Sequence, residues 1–137
     1  MKYIKMFIAG MIVPAVILPL LLFLAVLLGR SQILGIPFLH FIPLIWGVWN
    51  ILYFTLFTKM LPEYPKTRLL LAGGVLGFLI AAYGVVWLNI PALLGFPKSF
   101  YYLPLLLGPI LYALLWLFVV KPLNRLLGVQ EDDLRKF

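Results

Sequence analysis

The chain of 137 residues has no cysteine, a single histidine and only four acidic residues. Without cysteine there is no disulfide, no thiolate nucleophile, no iron–sulfur cluster and no Cys-ligated zinc. His40 alone cannot supply a bis-histidine haem site within one chain. Acid–base or metal chemistry needs clustered His, Asp, Glu or Cys. The four acids (Glu63, Glu131, Asp132 and Asp133) lie far from His40 in sequence and outside the long apolar runs. No cofactor and no enzymatic activity are expected. No Asp, Glu, Lys or Arg falls inside the spans proposed below. That removes the ionisable groups at depth on which ion-coupled carriers and most intramembrane enzymes depend.

What the chain does have is apolar surface. Hydrophobic residues make up 65%, aromatics 16% and charged residues 11%, with a mean hydropathy of +1.14. A soluble domain is nearer about half apolar and about a quarter charged. No water-soluble fold of this length hides so much apolar surface. A soluble enzyme, a disordered chain and a nucleic-acid-binding module are excluded, and an all-α integral membrane protein remains.

The basic residues delimit the spans. Lys5 to Arg30, Arg30 to Lys59, Arg68 to Lys98 and Lys98 to Lys121 each enclose an uncharged run of 22 to 29 residues. Each exceeds the roughly 20 residues a helix needs to cross hydrocarbon. Four transmembrane helices are predicted, at about 6–29, 37–58, 69–89 and 99–120, in one domain covering 1–137 with a tail at 121–137. Lipid leaves backbone groups without partners, so the spans must be helical, and they lack the alternation of a barrel. The first run is too long, and lacks the small-residue cleavage site, for a removed signal peptide.

Nine of the eleven basic residues flank these runs on one side: Lys2, Lys5, Lys59, Lys66, Arg68, Lys121, Arg125, Arg135 and Lys136. Arg30 and Lys98 lie on the other. Positive flanks resist translocation, so both termini are predicted to be cytoplasmic, in a bacterial inner or plasma membrane. The net charge of +7 then reads as a topology signal and not as a nucleic-acid footprint.

The two halves resemble each other. Ile33-Leu34-Gly35-Ile36-Pro37 matches Leu93-Leu94-Gly95-Phe96-Pro97, and Ile51-Leu52-Tyr53 matches Ile110-Leu111-Tyr112. Ala9-Gly10 corresponds to Ala72-Gly73, and Pro62 to Pro122. A tandem repeat of two helices (about 6–62 and 69–122) places both copies in the same orientation. The repeated segment holding Gly35, Pro37, Gly95 and Pro97 reads as a tight interfacial turn or as paired loops shaping a pocket or partner surface.

Two helix faces stand out. Gly73, Gly77 and Ala81 recur every four residues, with Gly84 nearby, and such small residues let helices approach closely within one chain or between copies. Trp46, Trp49, Asn50, Tyr53 and Phe57 form a polar–aromatic stripe too central for an interfacial belt. It packs internally with Asn50 bonded to a neighbouring helix, or it is a contact face or apolar-ligand groove with one polar anchor. Trp87, Tyr101 and Tyr102 fit an outer belt and Trp116 an inner one.

The function expected is therefore a small non-catalytic multi-pass protein, an accessory or scaffold subunit embedded in the lipid bilayer and binding another membrane protein or itself. The alternative is a small oligomeric channel, exporter or lipid-handling protein.

Overall fold

A computed structural model of the chain describes residues 1–60 and 64–129. Pro62, Glu63 and the charged tail residues Glu131, Asp132, Asp133, Arg135 and Lys136 lie outside these residues. All regular structure among the described residues is helical. Four helices are long and apolar enough to cross a membrane: α1 (Lys2–Leu27), α2 (Pro37–Met60), α3 (Pro65–Trp87) and α5 (Lys98–Leu126). A single turn, α4 (Ile90–Leu93), lies between α3 and α5, and a 3₁₀ turn at Ser31–Gly35 joins α1 to α2.

The helix ends follow from local chemistry. Pro37 and Pro65 open α2 and α3, where the missing amide hydrogen bond is not needed. Pro104 likewise lies in the first turn of the regular α segment Leu103–Leu115. Gly29, Gly95 and Gly128 have φ of 75°, 80° and 76°. Each closes the preceding helix with the paired bonds of a Schellman turn, as in Arg30 N–H to Ala25 O at 2.8 Å and Gly29 N–H to Val26 O at 3.0 Å.

The observed helices outrun the predicted ones at charged ends. α1 begins at Lys2, α3 at Pro65, and α5 continues to Leu126 through Lys121 and Pro122. Lysine and arginine have long stems that let a helix carry its charge to its solvated ends, so a charge marks the apolar boundary and not the helix boundary. The segment 121–126, read from sequence as the start of a tail, belongs to α5.

The four long helices alternate in direction, with Lys2, Met60, Pro65 and Leu126 at one end, the terminal end, and the Arg30–Pro37 and Leu88–Pro97 connections at the other, the loop end. α1 packs on α2 and α3 on α5. The two hairpins meet where α1 touches the C-terminal part of α5 and where α2 touches α3, and the Ser31–Gly35 turn meets α4 at the loop end. The core contains Met6, Trp46, Tyr53, Leu69, Leu76, Trp116 and Val120.

Candidate functional site

The polar groups of the interior converge where the hairpins join. Asn50, on α2, is fully buried. Its side-chain amide donates to the Met6 carbonyl of α1 at 2.6 Å and to Asn124 Oδ1 of α5 at 2.8 Å. Asn124 Nδ2 donates back to Asn50 Oδ1 at 3.2 Å and to the Val120 carbonyl at 3.0 Å. Three helices are thus clasped by one reciprocal amide pair. A buried amide is expensive unless bonded, and here each amide has both donor and acceptor engaged.

The clasp lies beside π-helical turns at Tyr53–Phe57 of α2 and Trp116–Val120 of α5. Such turns disrupt the regular i to i−4 ladder. Side-chain donors bond to carbonyls beside them: Thr55 Oγ1 to Ile51 O at 2.9 Å, Thr58 Oγ1 to Phe54 O at 2.6 Å, and Asn124 to Val120.

The aromatic stripe surrounds this centre and is not an exposed face of the monomer. Trp46 and Tyr53 are buried, while Trp49 and Phe57 are half-buried. The Trp46 ring lies 4.9 Å from that of Tyr112 and 5.1 Å from that of Trp116, both on α5. Trp49 Nε1–H donates to the Ala72 carbonyl of α3 at 2.9 Å, and its ring packs on Phe57. The stripe therefore joins α2 to both helices of the other hairpin. Trp116, expected in an inner interfacial belt, is instead fully buried, while Trp87 and Tyr102 stand exposed at the loop end.

Each hairpin closes on a glycine. A Cβ on Gly10 would lie 2.6 Å from the Trp46 carbonyl oxygen and 2.7 Å from Asn50 Cβ. A Cβ on Gly73 would meet the Tyr112 carbonyl, Trp116 Cβ and Ala113 Cα, and one on Gly77 would meet the backbone of Gly108. A Cβ on Gly108 would in turn lie 3.0 Å from Ala81 Cβ, so Gly73, Gly77 and Ala81 line the α3–α5 seam. Gly84 lies outside it and approaches Ile90 of α4. Ala9-Gly10 and Ala72-Gly73 hold equivalent places in their hairpins. The partner helices do not follow the matching sequence motifs. Packing sets Trp46 and Asn50 in the positions of Tyr112 and Trp116, about two turns from the alignment of Tyr53 with Tyr112.

The repeated loop also differs between halves. Gly95 adopts the left-handed region with the Arg30 guanidinium over it. Gly35 does not, and it faces open space. Pro37 begins α2, whereas Pro97 precedes a 3₁₀ turn at Lys98–Phe100.

Three buried polar residues, Thr58, Arg68 and Asn124, are not among the candidate site residues taken from the sequence. Asn124 was hidden in a segment read as tail, and Arg68, read as a loop charge, is fully buried in the first turns of α3. No protein family, curated protein or solved structure matches the chain.

Proposed function

We propose that the protein is a non-catalytic accessory subunit of a membrane, with both termini cytoplasmic, that acts by binding another membrane protein or a second copy of itself. The observation that carries this reading is the engagement of the two buried carboxamides, Asn50 and Asn124, with each other. Asn50, Asn124 and Trp49 are committed to contacts inside the chain. Glycine seams bring backbones into contact on both sides of them. A function then resides on the outer surface. The most uncovered helical surface is on α5, where no residue between Leu103 and Leu115 is buried. Leu106, Leu107, Ile110, Leu111, Leu114 and Phe118 recur there at spacings of three and four, the pattern of a continuous stripe.

The bias of basic residues toward the terminal end supports the orientation. The matched Ala-Gly pairs at the two hairpin contacts support a tandem duplication in parallel orientation, with the second helices since slipped by about two turns.

Photo-crosslinkers placed singly at Leu107, Leu111 and Phe118 in native membranes test the reading. A discrete adduct of fixed mass is expected from all three positions and not from Trp46. Uncrosslinked monomer at every α5 position would overturn it.

A further inference from the structure

The α1–α2 hairpin closes only over part of its length. From Gly10 toward the loop end, the two helices leave a lateral cleft of about 740 Å³. Met11, Ala15 and Val26 line it from α1, and Pro43 and Leu44 from α2. Its polar side chain is His40 at the loop end, whose Nε2–H donates to the Leu34 carbonyl at 2.9 Å.

We propose that this cleft holds one acyl chain of an anionic phospholipid, with the phosphate at the loop end. The proposal rests on the bilayer reading above and takes up its lipid-handling alternative. Three observations select this occupant. The first is chemical: the lining is apolar, with Phe23 its one aromatic ring, apart from the rim His40. The second is dimensional. From Met11 to Val26 the helix rises about 22 Å, against about 15 Å for one leaflet of a hydrocarbon core about 30 Å thick. The cleft therefore runs the depth of the loop-end leaflet. Its volume is also within the range of roughly 300–1,000 Å³ that encloses small ligands.

The third observation is charge. The loop end carries Arg30 and, at the start of α5, Lys98, and no acid, since all four acids lie elsewhere in the chain. Arg30 stands on the turn between the lining residues Val26 and Leu34, and its guanidinium bridges to Gly95 of the other hairpin. A phosphate at the loop end lies at the end of the molecule that carries Arg30 and Lys98 and no acid. A neutral lipid or a second apolar helix gains nothing from that charge.

The absence of native cysteine permits a direct test. The full chain carries a single bimane at Ala15→Cys, inside the cleft, or at Phe118→Cys, on the exposed face of α5. It is reconstituted in phosphatidylcholine bilayers with increasing brominated phosphatidylglycerol or brominated phosphatidylcholine. Quenching at Ala15 is expected to saturate at about fivefold lower mole fraction of the brominated anionic lipid, and Arg30→Gln should remove most of that preference. Quenching at Phe118 should follow bulk composition for both lipids. Equal, unsaturated quenching by both lipids at Ala15 would overturn the proposal. Disulfide-linked dimers of unlabelled Ala15→Cys would also overturn it, by making a second copy the occupant. Failure of the bilayer reading is distinguishable, because neither position would then be quenched.

Discussion

The two hairpins share a plan and differ in how far they close. α3 and α5 touch along successive turns, because Gly73, Gly77 and Ala81 meet the backbone of Tyr112, Ala113 and Gly108. α1 and α2 touch tightly at Gly10 and at Gly47, where an added Cβ would lie 2.6 Å from the Phe7 ring. Beyond Gly10 the α1 face continues through Met11, Ala15 and Leu18 beside Pro19, opposite Pro43 and Leu44. Proline interrupts the backbone ladder and bulky side chains hold axes apart. Between helices surrounded by lipid, where apolar burial gives no driving force, close packing supplies much of the association. A seam with a small residue every turn seals. One whose glycine contacts, Gly10 and Gly47, meet at a single level leaves a cleft beyond it.

The largest effect that breaks this contrast is Gly77→Leu. The new side chain meets the Gly108 backbone, which cannot yield as a flexible side chain can. A loss of about 3 kcal/mol is expected from overpacking, read by denaturant titration in micelles. Ala15→Leu, on the exposed wall of the cleft, should change the same titration by less than about 0.5 kcal/mol. A comparable loss at both positions would mean that the α1–α2 seam is closed as well.

Next is Asn50→Leu, which deprives the Met6 carbonyl and Asn124 of their partner. It should lower stability by about 1–3 kcal/mol. The double variant Asn50→Leu, Asn124→Leu should recover part of that loss, because no unpaired amide then remains. Strict additivity would show that the pair is not coupled. Gly95→Ala should cost about 1 kcal/mol for its left-handed backbone and displace Arg30. Gly35→Ala, its counterpart in the other half, should be neutral or stabilising by up to about 1 kcal/mol. Equal losses would mean the two loops share one conformation. The smallest effect is Trp49→Phe, which removes the bond to the Ala72 carbonyl and should cost about 1 kcal/mol.

Four spans were readable in the sequence because uncharged apolar runs long enough to cross a bilayer are rare in chains that fold in water. The helix ends were not, because Lys2, Lys66 and Lys121 sit inside helices that continue past the uncharged runs. The stripe from Trp46 to Phe57 was readable as a face, since indole and amide groups at depth need partners. Its destination was not, because Asn50 pairs with a residue that follows Lys121 and Pro122, beyond the apparent end of the last span. Periodicity found Gly73, Gly77 and Ala81, whose seam partners are on α5. Arg68 stood one position before the apolar run of α3 and carried no mark of burial. The cleft has no residue signature, because it is defined by where side chains fail to meet.

The amide clasp has a consequence for biosynthesis. Met6 and Asn50 leave the ribosome early, and Asn124 leaves after all four long helices have nearly emerged. Until then the Asn50 carboxamide has only half its final partners. The nascent protein therefore carries an open polar group among its first helices until translation is almost complete. A chain that ends before Asn124 leaves the Asn50 carboxamide without its amide partner.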